Sequence, residues 1–240
     1  VLVGANNVPI TRLTVDGSNP ALSGGLTVGG VEIHARNGII TNHPGSGYPG
    51  AGTFNDLEVA DVNVRNVFLR GIYASSGGTF DFHDNSVENV QGDAYAIAMS
   101  GTFMNNTVSK TNDGIASNWS RGTIFAGNVV TQSGSGIHTD NAGGGTIPGD
   151  VITGNTVSDC KPEGYGIWVF VQYSAATIEN NTVSGCAIGL GAFGGSFSGP
   201  TVSTVFRGNT VTGTGEVGSI GALVQTGTFG YGNTDIAAEF

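Results

Sequence analysis

The sequence predicts an all-β fold, a solenoid of stacked coils, and three observations lead to this prediction. A short motif recurs along the chain at near-regular intervals, β-branched residues are abundant, and glycine and asparagine separate the repeats. The 240 residues include 42 glycines, 38% are hydrophobic and only 11% are charged. Such a composition is typical of a turn-rich all-β protein with a buried core, not of a disordered chain.

The recurring motif consists of an apolar residue, two variable residues, asparagine, one further residue and valine. Its asparagines are spaced by 21, 22, 27, 26 and 28 residues, at Asn85, Asn106, Asn128, Asn155, Asn181 and Asn209. A copy at 59–64 has valine in place of asparagine, and Asn233 belongs to a degenerate last copy. Units this short lack helical periodicity, so each predicts one coil that buries its apolar face against its neighbours.

Two columns of stacked residues are expected to hold the coils together. The motif asparagines tolerate left-handed backbone geometry and can donate to the backbone and to the next asparagine up the stack. A second apolar column follows from the dipeptides that end in isoleucine, at Ile72, Ile97, Ile115, Ile137, Ile167 and Ile188. Both columns have structural roles, which leaves function to the residues between them.

Repeats such as 154–158 (GNTVS) and 179–184 (ENNTVS) resemble those of right-handed parallel β-helix proteins, which include the pectate-lyase-like superfamily and many bacterial surface proteins. The resemblance covers roughly 55–240, and less clearly 10–54. It implies a single-stranded right-handed parallel β-helix solenoid of roughly eight to nine coils of 21–28 residues. One domain would span 1–240, with irregular first coils in 1–54, a loop at 41–53 and regular coils over 55–240. It also implies an extracellular protein associated with polysaccharide, although enzymes, adhesins and inert spacers share this repeat.

Strand alternation predicts one outward face with polar and aromatic side chains. If Ile137 points inward, His138 and Asp140 point outward. The same register gives an outward column of Tyr73, Ala98, Ala116, His138, Trp168 and Gly189. Its companion column is Ser75, Ser100, Asn118, Asp140, Phe170 and Gly191. Arg121 and Tyr173 adjoin this face in sequence.

Aromatic rings beside a carboxylate, an imidazole and an amide are suited to binding a sugar. The predicted binding residues are therefore Tyr73, Asn118, His138, Asp140, Trp168 and Tyr173. For catalysis the candidates are His138, Asp140 and Arg121, with the histidine as general base. A hydrolase needs two facing carboxylates, and the predicted columns place no second acid beside Asp140. A structural or adhesive module is therefore favoured, with a polysaccharide lyase or glycoside hydrolase as the alternative.

Cys160 and Cys186 occupy equivalent positions in successive repeats. A disulfide and a pair of buried thiols are equally compatible with that stacking. No metal-ligand spacing is present, and no cofactor is expected. The turns at 112–114 and 139–141 offer oxygen atoms for Ca²⁺, but they are also ordinary turn sequences.

The net charge of −10 disfavours nucleic acid as a partner, and no apolar run is long enough for a transmembrane helix. Few lysines, many small polar residues and three Asn-x-Ser/Thr sequons suit a secreted or cell-surface protein, with a polysaccharide or cell-surface glycan as partner. No capping helix is evident near Val1 or Phe240. Uncovered coils at the ends indicate either end-to-end self-association or a module of a longer surface protein.

Overall fold

A computed structural model of the chain describes residues 1–41, 54–75, 78–92, 94–97, 99–120, 122–141, 149–170, 174–195, 201–227 and 236–240. These residues form strands and turns, and none of them belongs to a helix. A membrane-spanning helix is accordingly not found in the described part of the chain. The loop predicted at 41–53 lies outside the described residues except for Thr41.

In chain order the strands are β1 (Val8–Thr11), β2 (Thr14–Asp16), β3 (Leu26–Val28), β4 (Val31–Ile33), β5 (Ala35–Ile40), β6 (Phe54–Ala60), β7 (Asn63–Ser75), β8 (Gly78–His83), β9 (Ser86–Val90), β10 (Ala94–Ile97), β11 (Ser100–Met104), β12 (Thr107–Thr111), β13 (Asp113–Ser120), β14 (Ile124–Ala126), β15 (Val129–Thr131), β16 (Ser135–Asn141), β17 (Val151–Thr153), β18 (Thr156–Ser158), β19 (Tyr165–Phe170), β20 (Ala176–Glu179), β21 (Thr182–Cys186), β22 (Ile188–Phe193), β23 (Val202–Arg207), β24 (Thr210–Gly213), β25 (Ile220–Gln225) and β26 (Ile236–Glu239).

The strands stack as a parallel β-helix, as predicted. One sheet has the order β1-β6-β8-β11-β14-β17-β20-β23-β26. The other contains two ladders joined through the long strand β7, one running from β2 to β24 and the other from β5 to β25. Strand pairs within these sheets are parallel and in register, whereas β3 and β4 form a small antiparallel hairpin. Each coil therefore contributes one strand to each of three faces.

The motif asparagines form the expected ladder at one corner of the coil. The Asn128 side chain donates from Nδ2 to the Asn155 carboxamide oxygen at 2.9 Å and to the Phe103 carbonyl at 2.9 Å. The Asn128 backbone N–H also donates to the Asn155 carboxamide oxygen, at 2.9 Å. The pattern repeats from Asn85 to Asn209, so these buried amides are satisfied coil by coil.

The left-handed residue at this corner is the one before each ladder asparagine, contrary to the expectation that the asparagines themselves adopt that geometry. Asn105 has φ 54° and Gly127 has φ 65°, while no ladder asparagine has a positive φ. This explains why glycine, asparagine or aspartate precedes the ladder position, since these residues tolerate the left-handed region best.

Three inward columns form the core, one on each face. Neighbouring coils place like side chains on one another, for instance the stacked rings of Phe103 and Phe125 with centroids 5.1 Å apart. Fully burying one such side chain contributes about 1.5–3 kcal/mol. The columns are Ile10-Val59-Phe82-Phe103-Phe125-Ile152-Ile178-Phe206, Val15-Val64-Val87-Val108-Val130-Val157-Val183-Val211 and Ile39-Ile72-Ala94-Ile115-Ile137-Ile167-Leu190-Ala222.

Two members of the predicted isoleucine column were wrong. Ala94 stands where Ile97 was expected, and Leu190 stands where Ile188 was expected. The ladder asparagine fixes the position, because Ile115 and Ile137 both follow their asparagine by nine residues, as do Ala94 and Leu190. The Gly/Ala-Ile dipeptide was therefore a poorer guide than the distance from the corner.

Candidate functional site

The face predicted to carry the site is built by strands β10, β13, β16, β19 and β22. Backbone pairing places His138 between Ala116 and Trp168, and Asp140 beside Asn118, as the predicted register requires. The neighbouring coils depart from it. Tyr95 and Gly191 take the outward positions expected for Ala98 and Gly189, and Ile97 and Phe193 take the companion positions expected for Ser100 and Gly191.

Tyr73 does not share a site with His138. Two strands, β10 and β13, separate their positions in the ladder. The Tyr73 ring is buried in a small apolar cluster with Ile40 and Ala116, and the Arg70 guanidinium lies over it at 5.7 Å. Two further predicted residues, Arg121 and Tyr173, lie outside the described residues.

His138 is buried although its strand position points away from the main core. Only 7% of the residue is exposed, and its ring centroid lies 4.9 Å from that of Trp168 and 5.4 Å from that of Phe170. Burial lowers the pKa of His138, while the charge of Asp113 acts in the opposite direction. The imidazole is therefore neutral near pH 7 and sits within an aromatic cluster, whose members are His138, Tyr165, Trp168, Phe170 and Phe193.

One hydroxyl fixes the polar edges of this aromatic cluster. The Trp168 indole N–H donates to Ser135 Oγ at 2.7 Å, and Ser135 Oγ lies 3.1 Å from His138 Nδ1. Because that oxygen accepts from the indole, its own proton can be donated to the neutral ring nitrogen. The arrangement stabilises the packing of three side chains and does not present the imidazole as an exposed base.

A β-bulge at Trp119 creates the most unusual local geometry on this face. Asn118 pairs with Asp140 and Ser120 with Asn141, so Trp119 is an extra residue without a partner in the β13–β16 register. Its φ is 55°, and 49% of the residue is exposed. A bulky residue in the left-handed region costs about 1–3 kcal/mol and is concentrated at functional positions. Bulges of this kind re-aim a side chain.

Asp140 stabilises the bulge. One carboxylate oxygen, Oδ1, accepts a short hydrogen bond from the backbone N–H of Trp119. The residue is only 5% exposed, and burial raises the pKa of Asp140 to about 6, helped by the nearby charge of Asp150 and opposed by the Trp119 hydrogen bond. Asp140 therefore combines an elevated proton affinity with a position next to an exposed aromatic ring.

Asp150 is a second acid near Asp140 that the sequence reasoning missed. It is fully buried, and its carboxylate accepts hydrogen bonds from the Thr139 hydroxyl at 2.5 Å, the Thr123 backbone N–H at 2.8 Å and the Ser120 hydroxyl. Burial raises the pKa of Asp150, whereas these donors lower it. Its oxygens are therefore enclosed within the solenoid corner and are not presented to a ligand.

Two polar atoms beside this acid pair are buried without a hydrogen-bond partner: the Asn118 carboxamide oxygen and the Ser117 hydroxyl. A buried unpaired polar atom costs about 1–3 kcal/mol. Asn118 is half-buried as a residue, and its pairing with Asp140 places it at the bulge. We name Trp119, Asn118 and Asp140 the bulge site.

The predicted Ca²⁺ ligands do not converge. Asp113 pairs with Ser135, whereas Asp140 pairs with Asn118, so the two acids are five positions apart along the ladder. At about 3.3 Å per residue, that offset is roughly 16 Å. Within the described ranges, no group of three or more His, Cys, Asp or Glu residues is placed to hold a metal ion.

A disulfide joins Cys160 and Cys186, which decides between the two alternatives left open by the sequence. The bridge connects two successive coils across a sequence separation of 26 residues. Beside Cys160 lies an open cleft of about 510 Å³, whose wall includes Lys161, Glu163 and Glu216. The described atoms around this cleft give it mixed charge, without the aromatic surface found at the bulge site.

Comparison with known proteins agrees with this geometry. A family model described as a right-handed β-helix region matches residues 70–231. No curated protein and no solved structure matches the chain significantly. The family match covers the coils that carry the bulge site, the aromatic cluster and the disulfide.

Proposed function

Because the chain belongs to the right-handed β-helix family, we propose that it is a secreted or cell-surface module with a structural and adhesive role, which contacts a polysaccharide through the bulge site. The family supplies a rigid solenoid, and the function is carried by residues placed on its flank. The ligand is a glycan whose pyranose ring stacks on Trp119.

The single observation that carries this proposal is the half-exposed Trp119 ring in a strained bulge. Left-handed geometry in a bulky residue persists only where the surroundings enforce it, and here the Asp140 carboxylate holds the backbone N–H. An aromatic face held by a rigid ladder can bind the apolar face of a sugar with little loss of conformational entropy. The amide of Asn118 is available beside it to read a hydroxyl group.

The Cys160–Cys186 disulfide supports an extracellular location, since disulfides persist in oxidising compartments. The surface has 18 acidic and 8 basic residues, which favours neutral over acidic polysaccharides as ligands. We therefore expect binding to uncharged glycans in preference to polyuronates.

An adhesive role is favoured over catalysis by the way the candidate catalytic groups are held. His138 is neutral and packed beneath Trp168, so it does not offer a base to a bound sugar. Asp150 is enclosed by donors, so it does not face Asp140 across an open cleft. Glycoside hydrolysis needs two carboxylates on either side of the scissile bond.

The alternative is a glycoside hydrolase, and one observation favours it. A carboxyl group with a pKa of about 6 is suited to act as a general acid near neutral pH, and Asp140 has that property beside an exposed aromatic ring. In this alternative Asp140 protonates the leaving oxygen of a glycan stacked on Trp119. A glycan that is bound but not cleaved excludes it.

The proposal is tested by binding of the folded protein to insoluble and soluble polysaccharides, followed by intrinsic fluorescence. Trp119→Ala is expected to lose binding at least tenfold, whereas Trp119→Phe retains an aromatic face and most of the affinity. Ile124→Ala, at another exposed apolar position on the flank, is the matched control and should bind like the wild type. Equal binding by Trp119→Ala and wild type contradicts the proposal.

A further inference from the structure

The core columns of the β-helix are uncovered at its C-terminal edge, formed by β24, β25 and β26. Phe206 is 4% exposed, whereas Phe240, the next residue in that column, is 82% exposed with its ring stacked on Phe206. Val224 is 37% exposed, while Ala192 directly before it in the ladder is fully buried. Apolar side chains that each earlier coil covers with its successor therefore face outward here.

The N-terminal edge, formed by residues 1–3, β1 and β2, shows the complementary situation. Ile10 and Val15 are only half-buried, whereas Val59 and Val64, which follow them in their columns, are buried. Leu2 is more than half exposed beside Ile40. Both ends of the solenoid therefore expose the same three core columns.

The backbone at the two edges is also complementary. Strands β1 and β26 lie at opposite ends of one sheet and have four residues each. A strand paired on one side only leaves alternate N–H and C=O groups free on the other. Since the ladders are parallel, a second copy that continues them has the same orientation and sits one strand spacing, about 4.8 Å, beyond the last coil.

Charge favours this head-to-tail arrangement. Near the N-terminal edge, Arg12 and Arg36 are exposed and form no ion pair with the described residues. Near the C-terminal edge, Glu216 and Glu239 are exposed and likewise unpaired within the described ranges. Two like ends brought together would place charges of one sign in proximity, whereas head-to-tail stacking joins opposite signs.

We propose that the C-terminal edge of one copy stacks on the N-terminal edge of a second copy, extending all three faces in register. The occupant of each uncovered edge is thus this same chain. The contact is heterologous, so successive copies form linear assemblies and do not close as a twofold dimer. An adhesive module assembled in this way presents its bulge site repeatedly along one rod, although the stacking itself does not depend on glycan binding.

Sedimentation velocity of the 240-residue chain at increasing protein concentration tests the proposal. Wild type is expected to shift from the mass of one chain toward multiples of it. Phe240→Lys blocks the C-terminal edge and Leu2→Lys blocks the N-terminal edge. Both side chains are more than half exposed, so these substitutions leave the fold intact. Each variant alone should stay at the mass of one chain, and their equimolar mixture should give dimers and nothing longer, because one competent edge of each type remains.

Ile124→Lys is the matched control, since it adds the same charge at an exposed apolar position in the middle of the solenoid. It should assemble like the wild type, and circular dichroism should show the same β-sheet signal for all variants. A wild type that keeps the mass of one chain at every concentration overturns the proposal. Unchanged assembly of the two edge variants, or a mixture that stays monomeric, overturns it as well.

Discussion

The backbone N–H of Trp119 donates a hydrogen bond to the Asp140 carboxylate on the neighbouring strand. The bulge removes Trp119 from the ladder, so its N–H needs an acceptor other than a strand carbonyl. Asp140 is buried and needs a donor to hold its charge. Each residue thus satisfies the other, and the exposed indole is the result.

Removing the indole is expected to increase stability. In Trp119→Gly the left-handed φ is no longer strained, which returns about 1 kcal/mol and outweighs the contacts of a half-exposed ring. Urea unfolding should give a free energy of unfolding equal to or above that of wild type, together with lost glycan binding. A loss of more than about 2 kcal/mol would mean that the ring is a structural element of the fold.

Asp140 predicts a specific pH dependence. Its pKa is raised in the folded state to about 6 from 3.8, so its favourable contribution is complete below about pH 4 and is lost as the pH rises through about 6. Asp140→Asn cannot ionise. Its free energy of unfolding relative to wild type should therefore increase between pH 4 and pH 7 by up to about 3 kcal/mol.

The matched control for this pH dependence is Asp81→Asn, on an exposed position of β8. It should follow the wild-type pH profile closely. The lowered pKa of the buried His138 is common to all three proteins and cancels in the comparison. Parallel pH profiles for Asp140→Asn and wild type would contradict the burial of that carboxylate.

The asparagine ladder should be least tolerant in the middle of the solenoid. Asn128→Ala removes an amide that donates to Phe103 and Asn155, and it leaves the Asn106 amide without its acceptor. We expect a loss of roughly 3 kcal/mol or more in urea unfolding, since several buried polar groups lose partners. Asn209→Ala, at a half-buried position near the last coil, should cost less. Equal losses at both positions would argue against a cooperative ladder.

The disulfide should contribute measurably to stability. Closing a loop of about 26 residues is expected to add about 3–4 kcal/mol by restricting the unfolded chain. The double variant Cys160→Ala/Cys186→Ala should therefore unfold at lower temperature, and reductant should lower the Tm of wild type but not of the variant. An identical Tm for the two proteins under oxidising conditions would show that the bridge does not constrain the fold.

Repetition made the fold predictable from the sequence. The asparagine at 106 and its counterparts recur with valine two residues later, and this spacing is maintained by the ladder that each coil passes to the next. The columns failed at 97 and 188, because a Gly/Ala-Ile dipeptide was preferred to the constant distance of nine residues from the corner. Backbone pairing, and not local composition, sets that distance.

The site was less predictable, for physical reasons that differ by residue. Strand alternation assumes an unbroken ladder, so it could not show the bulge that projects Trp119. It correctly paired Asp140 with Asn118 and His138 with Trp168, but it could not show that both His138 and Asp140 are buried.

Asp150 left a signal in the sequence that was not used. It stands five residues before Asn155, and the corresponding positions in the other coils are Phe80, Gly101, Thr123, Ala176 and Thr204. A single acid in a column of apolar and small residues indicates a buried carboxylate that needs donors. The sequence alone does not show that Ser120 and Thr139 supply them.

The central claim is that this β-helix binds a glycan at the bulge site without cleaving it. It is tested most directly by a glycan array probed with wild type and Trp119→Ala, with reducing-sugar and unsaturated-product assays on every glycan that binds. The account predicts binding by wild type, its loss in Trp119→Ala and no product from either protein. Product formation that Asp140→Asn abolishes, or binding that Trp119→Ala leaves intact, would contradict it.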